Sequence, residues 1–353
     1  MNTIQERIQT FVKLGTFLSQ FSSTGIQKKE GVAHNDLFFD GFKHQLKLAQ
    51  EHNTWFTQDN LLFSFTNWAK ALTEKNLEQW IFKENLTTET PKTVAIILAG
   101  NIPLVGFHDF LSVLISGHSV LVKQSSNDKH LLPFLAKYLE YIQPSLQGKM
   151  TFTEGKINNF DAVIATGSNN TARYFESYFK NHPSIIRKNR NSVAVITGTE
   201  TPEDFTALSN DIFQYFGLGC RSVSKLYVPE GFDFSVFFQG MYNKKTLIEN
   251  AKYANNYDYN KAVYLMSEFD LLENGFLMIK EDASYASPIA TIFYEYYSDV
   301  AQLKKTLAAD NESIQCVVAK DFVPYEIAFG QTQHPALWDY ADGVNTLAFL
   351  AEL

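Results

Sequence analysis

Cysteine is scarce in this sequence, which holds only Cys220 and Cys316 among its 353 residues. Two cysteines so far apart form neither a disulfide framework nor a zinc site. Such low cysteine usage is typical of a reducing compartment, and we expect a cytoplasmic protein. The eight histidines show no metal-ligand spacing, so we expect no metal.

The sequence also lacks the features of nucleic-acid-binding, secreted and membrane-spanning proteins. The net charge is −8, and no Lys/Arg cluster is long enough to follow a phosphate backbone. The first residues show no charged-then-apolar signal pattern. The most apolar long stretch, residues 94–117, is a poor membrane span because it is interrupted by Asn101, Pro103, His108 and Asp109. We therefore expect no nucleic-acid partner and no membrane span.

The composition is that of a globular protein, with 45% hydrophobic and 19% charged residues. Apolar residues recur at helical spacing near the start, and they include Ile4, Ile8, Phe11, Leu14 and Leu18. Further helices are predicted over residues 35–52 and 58–82. The sequence thus predicts a helical amino-terminal region.

From Thr93 onward the pattern alternates between short apolar runs and helical stretches. The predicted strands are residues 93–99, 118–122, 161–166 and 192–197, and the helices between and after them include residues 128–141, 169–180 and 202–216. This alternation predicts an α/β fold with a mostly parallel sheet covered by helices on both faces. Beyond Cys220 we predict strands at residues 223–228, 262–266, 289–293 and 314–319.

Polar residues follow three of these strands at equivalent places. Gly100-Asn101 follows the first strand, Lys123 ends the second, and Gly167-Ser168 follows the third. Ligands of doubly wound sheets bind beyond the carboxyl ends of the strands. These residues are therefore predicted to lie together in one binding site at that edge of the sheet. Ordinary strand-to-helix turns use the same residue types.

Two of these segments suit a nicotinamide cofactor. A lysine such as Lys123 can reach a ribose or phosphate as a point charge. The small hydroxyls of Ser125 and Ser126 follow it where a carboxylate would repel a 2′-phosphate, which favours NADPH over NADH. Gly167 and Ser168 open a helix whose free N–H groups suit a pyrophosphate. Ser168 is equally suited to be a plain helix N-cap.

Cys220 lies on a glycine-containing stretch between a helix and a strand. Gly217 and Gly219 permit a tight backbone path and positive φ angles. The neighbouring Arg221 could favour the thiolate, which is the form that attacks. Cys316 instead lies in a strand pattern and is predicted to be buried. Cys220 is therefore the candidate nucleophile.

These segments together resemble the aldehyde dehydrogenases. Residues 99–103 resemble the segment whose asparagine forms the oxyanion hole, and residues 122–126 the segment with the cofactor-binding lysine. Residues 165–168 are similar to the glycine turn under the cofactor, and residues 217–220 lie where the nucleophile stands. Within this superfamily the sequence resembles the fatty acyl-CoA reductases of the LuxC family, whose carboxyl-terminal pattern in some members is similar to residues 329–343.

The resemblance implies an aldehyde-dehydrogenase-like fold with a Rossmann-type cofactor domain and an α/β catalytic domain. Residues 1–190 would hold the helical region and the cofactor domain, residues 191–340 the catalytic domain, and residues 341–353 a segment that packs on the first domain or on a partner subunit. It implies a homo-oligomer, and an acyl-donating partner protein is compatible with it. The implied catalytic residues are Cys220 and Asn101, and the implied cofactor-binding residues are Lys123, Ser125, Ser126, Gly167 and Ser168.

The sequence departs from hydrolytic aldehyde dehydrogenases in one respect. Those enzymes carry a glutamate base between the glycine turn and the nucleophile, but residues 185–192 hold no carboxylate. Without such a base an acyl-enzyme is not directed to water. The sequence therefore predicts an NADPH-dependent acyl-CoA reductase that acts through a Cys220 acyl-enzyme, with NADH as an alternative cofactor. Arg187, Lys188 and Arg190 either contact phosphates or form a solvated basic turn.

Two other functions stay open at this point. One is a CoA-acylating aldehyde dehydrogenase, which would run the same chemistry toward the thioester. The other is an acyl-transfer module that forms a Cys220 thioester without redox chemistry.

Overall fold

The amino-terminal residues form helices because each helix buries one apolar face. A short hairpin of β1 (Phe21–Ser22) and β2 (Gly25–Ile26) follows α1 (Ile4–Leu18), and then come α2 (Asn35–His52), α3 (Gln58–Ala71) and α4 (Glu74–Ile81). Thr3 begins α1 with a capping box to Glu6. The single helix predicted over residues 58–82 is two helices, because the hydroxyl of Thr73 accepts the N–H of Asn76 and starts a new helix.

A parallel sheet follows the helical region. Its elements are β3 (Thr93–Ile97), α5 (Phe107–Ile115), β4 (Ser119–Lys123), α6 (Leu131–Ile142), β5 (Met150–Thr153), β6 (Ala162–Thr166), α7 (Asn169–Tyr178) and β7 (Ser184–Arg187). The strand order is β5-β4-β3-β6-β7, and every pair is parallel. The predicted α/β alternation is therefore present, with β3 at the centre of the sheet.

The central strands are buried on both faces. In β3, Val94 and Ile96 pack with the amino-terminal helices, whereas Ala95 packs with Phe179 on the opposite face. Alternate residues of a strand point to opposite faces, so a strand covered on both sides is apolar throughout. This explains why short unbroken apolar runs, such as the one at Ala162–Thr166, predicted strands correctly.

The second sheet is built by residues beyond Asn189. Its elements are β8 (Asn191–Val195), α8 (Pro202–Phe213), β9 (Val223–Pro229), α9 (Phe234–Met241), α10 (Ala251–Met266), β10 (Leu272–Glu273), β11 (Met278–Glu281), β12 (Thr291–Tyr297), α11 (Val300–Ala309) and β13 (Ile314–Val318). The order is β10-β11-β12-β9-β8-β13, with only β10 antiparallel to its neighbour among the described residues.

One predicted strand, residues 262–266, is wrong. These residues are the last turns of α10, which starts where the side chain of Asn250 accepts the N–H groups of Lys252 and Tyr253. The helix buries Tyr253, Tyr257 and Asn260, which recur at helical spacing. The local apolar run therefore belongs to a helix whose cap lies well before it.

The chain divides into two units. The first contains the residues up to Lys188 together with Ala336–Leu353, and the second is Asn189–Pro335. Residues 336–340, which the sequence places in the catalytic domain, thus lie in the first unit. Leu337 is buried in its core, and the indole N–H of Trp80 donates to the Tyr340 hydroxyl at 2.9 Å.

Two buried polar side chains attach the carboxyl-terminal residues to the first unit. Arg187, which ends β7, pairs with Asp109 at 2.6 Å and donates to the carbonyl of Ala341 and the hydroxyl of Thr346. Thr346 begins the last helix, α12 (Thr346–Ala351). His118 contacts the carbonyl oxygen of Leu350 through Nε2 at 2.9 Å. The segment is therefore bound by polar contacts as well as by apolar packing.

The structure is a computed structural model that describes residues 3–82, 84, 86 and 90–353. In this part of the chain no helix combines the length and the apolar character needed to cross a bilayer. The same residues contain no group of three or more His, Cys, Asp or Glu side chains placed to hold a metal ion.

Candidate active site

The loop after β3 carries Asn101 at the carboxyl end of the first sheet. Asn101 is exposed, and the loop around it is held in a strained backbone path, with Leu104 at φ 56°. A left-handed conformation costs a non-glycine residue roughly 1–2 kcal/mol, so other contacts must stabilise it. The hydroxyl of Ser64 donates to the carbonyl of Pro103 at 3.2 Å. The carboxylate of Asp128 accepts the N–H of Leu104 at 3.1 Å.

The loop after β4 carries Lys123 and the two predicted serines. Lys123 is half-buried, and its ammonium makes no hydrogen bond or ion pair with the described residues. The hydroxyl of Ser125 accepts the N–H of Asn127 at 3.2 Å, and Ser126 is exposed. Asp128 accepts the N–H of Leu104 through Oδ2. The residues after the lysine thus offer two hydroxyls, and the one carboxylate that follows them is bonded to the loop after β3.

The Asn101 loop and the Lys123 loop are in direct contact. A Cβ atom at Gly100 would overlap with the side chain of Ser125, so this position requires glycine for close approach. The amide of Asn53 lies 3.5 Å from the carbonyl of Gly100 and 3.4 Å from that of Asn127. The end of α2 therefore supports both loops.

Burial shifts the pKa of Asp128, which lies where the Asn101 loop meets the Lys123 loop. Its carboxyl atoms are buried although part of the residue is accessible, and burial raises its pKa to about 6. The hydrogen bond from Leu104 acts in the opposite direction but is the smaller effect. Its second oxygen, Oδ1, is buried and accepts no hydrogen bond from the described residues.

Gly167 and Ser168 follow β6, which is the neighbour of β3 in the sheet. A Cβ at Gly167 would lie 3.0 Å from the side chain of Thr171, so glycine lets the turn lie against α7. Ser168 is the N-cap of α7, and its hydroxyl accepts the N–H of Thr171 at 3.3 Å. Ser168 therefore performs the capping role, and a role in cofactor binding stays a prediction.

Cys220 lies on an exposed loop of the second unit, between α8 and β9. Tyr215, Phe216 and Gly217 have φ values of 56°, 57° and 76° in succession. The positive φ angles thus extend to two aromatic residues that are buried. The hydroxyl of Ser192 donates to the carbonyl of Cys220 at 2.9 Å. A cysteine presented in this way is accessible for reaction, whereas Cys316 is buried in β13.

Arg221 points toward the late polar loop of the second unit, residues 329–335. Its Nη1 lies 3.6 Å from the sulfur of Cys316 and 3.4 Å from the carbonyl of Thr332. The guanidinium thus contacts the other cysteine, and its predicted effect on the Cys220 thiolate gains no support from these contacts. The amide of Gln333 donates to the hydroxyl of Ser222 at 3.3 Å, so the late loop packs beside the Cys220 loop.

Asp211 on α8 holds the late loop in place. Its carboxylate accepts the N–H groups of Gly330 and Thr332 and the hydroxyl of Thr332, at 2.5, 2.9 and 2.8 Å. Burial raises the pKa of Asp211, and these three hydrogen bonds oppose the rise. Asp211 was not among the predicted site residues. A carboxylate on the same face of α8 as Leu208 and Ile212 was the signal that could have revealed it.

Arg187 differs from the other two basic residues of the β7–β8 region. Arg187 is buried against Asp109, and Lys188 forms an exposed pair with Glu176 at 2.8 Å. Arg190 donates to the carbonyl of Asn311 at 3.0 Å. Arg187 is therefore neither solvated nor available to a phosphate, whereas the roles of Lys188 and Arg190 stay predictions.

The part of the sequence that carries the predicted site residues matches a known family. A family model described as acyl-CoA reductase (LuxC) matches residues 73–236. We call residues 73–236, which are similar to this family, the LuxC region. This LuxC region contains Asn101, Lys123, Gly167 and Cys220, and it confirms the resemblance identified from these residues.

A curated relative agrees with the family match. The long-chain acyl-protein thioester reductase of Aliivibrio fischeri is 26% identical over an alignment of 234 positions, which covers 58% of this chain and 47% of that protein. The chain thus spans about half the length of the curated relative that it matches.

Solved structures confirm the predicted fold. Aldehyde dehydrogenase 21 from Physcomitrella patens has a TM-score of 0.65 at 12% identity, covering 90% of this chain and 73% of that chain. The NAD+ complex of an aldehyde dehydrogenase from Bacillus cereus has a TM-score of 0.61 at 12% identity, covering 90% and 72%. The LuxC region therefore lies within an aldehyde-dehydrogenase-like fold.

Proposed function

We propose that this protein is an NADPH-dependent reductase of acyl thioesters, which releases an aldehyde through an acyl-enzyme on Cys220. The observation that carries the proposal is the exposed Cys220 on a strained loop inside the LuxC region. Because the described acyl substrate of the Aliivibrio fischeri relative is a long-chain acyl-protein, we propose a long-chain acyl group on CoA or on a donor protein.

In the proposed reaction the Cys220 thiolate attacks the thioester carbonyl. The side-chain amide of Asn101 and the N–H of Cys220 stabilise the developing oxyanion, and one such donor typically contributes about 3–4 kcal/mol. The donor thiol leaves as a thiolate and takes up a proton. The product of this half-reaction is a thioester between the acyl group and Cys220.

NADPH, when bound, supplies the hydride that reduces the carbonyl carbon of this thioester. The oxyanion then collapses, the Cys220 sulfur leaves as a thiolate, and the aldehyde is released. Residues 185–192 offer no carboxylate to activate water, so the acyl-enzyme is preserved for reduction. One thioester, one NADPH and one proton thus yield an aldehyde, a thiol and NADP+.

The Lys123 loop fits the phosphates and ribose of the cofactor. The ammonium of Lys123 has no partner among the described residues, and it is followed by the hydroxyls of Ser125 and Ser126. The one carboxylate of this loop, on Asp128, is directed inward to Leu104. A 2′-phosphate would therefore meet a cation and hydroxyls, which supports NADPH over NADH.

We propose Gly167 and Ser168 as further cofactor-binding residues, because both lie at the carboxyl end of the same sheet. We propose a cytoplasmic location from the low cysteine content and a homo-oligomer from the aldehyde-dehydrogenase resemblance.

The test is to mix the protein with NADPH and acyl-CoAs of increasing chain length, and in parallel with an acylated carrier protein. We expect acyl-dependent oxidation of NADPH with equimolar aldehyde, and loss of the reaction in Cys220→Ser. Cys316→Ser is the matched control and should keep the activity. Asn101→Ala should lower kcat roughly 100- to 1000-fold without unfolding the protein.

The competing functions give other outcomes. Acylation of Cys220 without oxidation of NADPH would indicate an acyl-transfer module. NADPH formation from aldehyde that requires CoA, with no reduction of thioesters, would indicate a CoA-acylating dehydrogenase.

A further inference from the structure

We propose that Asp128, which lies in the Lys123 loop, is a positioning residue that holds the Asn101 loop in place. It would set the orientation of the Asn101 amide through the backbone of Leu104. This inference rests on the proposed function, because it assigns Asn101 a role at the reacting carbonyl.

The backbone of the Asn101 loop depends on a hydrogen bond to Asp128. Leu104 lies three residues after Asn101 and has a φ of 56°, a conformation that leucine rarely adopts. Its N–H is directed into the protein and donates to Asp128 Oδ2 at 3.1 Å. Its carbonyl accepts the N–H of Phe107 at 3.0 Å, which places the loop directly before α5. Removing the acceptor on Asp128 would leave a buried donor on a strained residue.

Asp128 is itself anchored in the Lys123 loop. Its N–H donates to the carbonyl of Ser125 at 3.2 Å, and its own carbonyl lies 3.4 Å from the amide of Gln124. Both residues belong to the loop that begins at Lys123. Asp128 therefore connects the Lys123 loop to Leu104 through hydrogen bonds, and the position of one depends on the other.

Asp128 differs chemically from the other side chains that hold the Asn101 loop. Ser64 donates to Pro103 and Asn53 to Gly100, and both are neutral donors to carbonyl oxygens. Asp128 is instead a carboxylate acceptor for an N–H, and a hydrogen bond to an ionised group is typically stronger than a neutral one. Its Oδ1 is buried and has no hydrogen-bond partner among the described residues.

The inference is tested by the rate at which acyl-CoA acylates Cys220, measured by intact-protein mass spectrometry in the full chain. We expect Asp128→Ala to slow acylation at least 10-fold. Asp128→Asn keeps an amide oxygen that can accept the N–H of Leu104, so it should recover most of the rate. Asp59→Ala, which removes an exposed carboxylate of the first unit, is the matched control and should acylate like wild type.

The double variant separates positioning from a general structural role. If Asp128 acts through Asn101, then Asp128→Ala causes no further loss in an Asn101→Ala background. An equal loss in both backgrounds would overturn the inference, as would wild-type acylation in Asp128→Ala. Hydrogen exchange at the amide of Leu104 should rise at least 10-fold in Asp128→Ala, and unchanged exchange would also overturn it.

The outcomes distinguish this inference from the proposed function. A wild-type protein that is never acylated at Cys220 overturns both. A wild-type protein that is acylated and reduces the thioester, with an indifferent Asp128→Ala variant, overturns only the positioning role.

Discussion

Replacing Arg187 by methionine should destabilise the first unit strongly. The side chains of Arg187 and Asp109 are only 5% and 10% exposed, and the arginine donates to Asp109 through both Nε and Nη2. Breaking a buried pair by removing one partner typically costs roughly 3–5 kcal/mol, because the other charge stays buried without compensation. Arg187 also donates to Ala341 and Thr346, so the variant loses contacts to the carboxyl-terminal segment as well.

The free energy of unfolding can be measured by urea denaturation, with hydrogen exchange reporting on peptides from residues 336–353. Lys188→Met is the matched control, because its pair with Glu176 is about half exposed and such pairs contribute only about 0–1 kcal/mol. The double variant Arg187→Met/Asp109→Leu should recover much of the loss, since no charge is left unpaired. A loss below about 0.5 kcal/mol in Arg187→Met, the range of ordinary surface substitutions, would refute this reasoning.

Three further predictions follow from the environments of single side chains. In the folded protein one equivalent of iodoacetamide should react at Cys220, and Cys316 should react only after unfolding; fast labelling of both would contradict the burial of Cys316. Burial lowers the pKa of His118 below its ordinary value of 6.5, so the unfolded state binds more protons and the free energy of unfolding should fall as the pH drops below about 6.5. His118→Gln should lose this part of the pH dependence in urea titrations at pH 5 and 7. Thr332→Val removes one hydrogen bond to the Asp211 carboxylate and should cost about 1.5–3 kcal/mol in urea unfolding; an unchanged midpoint would contradict that contact.

The sequence predicted the fold best where strands are buried on both faces. The run at Ala162–Thr166 is apolar because its neighbours in the sheet and the helices on both sides exclude water. The strands at Met150–Thr153 and Ser184–Arg187 were missed, since both lie at the edges of that sheet and carry exposed polar residues. Edge strands lack the continuous apolar run on which the prediction depends.

The site was predicted residue by residue, but its supports were not. Lys123 and Cys220 stand out because of their neighbours in the sequence, and local patterns are readable without a structure. Asp109 and Arg187 are separated by 78 positions, and nothing local shows that one neutralises the other. The same holds for Asp211, whose partners in the late loop are 119 and 121 residues away. The roles of the predicted site residues themselves stay predictions until they are tested by mutation.

The return of residues 336–353 to the first unit has a consequence for the order of folding. Leu347 and Leu350 are almost completely buried in a core whose other buried members, apart from Leu337, precede Lys188. On the ribosome, the whole of Asn189–Pro335 is synthesised before these two leucines exist. The second unit is continuous in sequence and can fold as soon as it emerges. The first unit is translated first, but its core stays incomplete until residues 336–353 have been synthesised. Part of its apolar surface is therefore exposed while the second unit is made. The first unit is thus the part of the chain that would need a chaperone during synthesis.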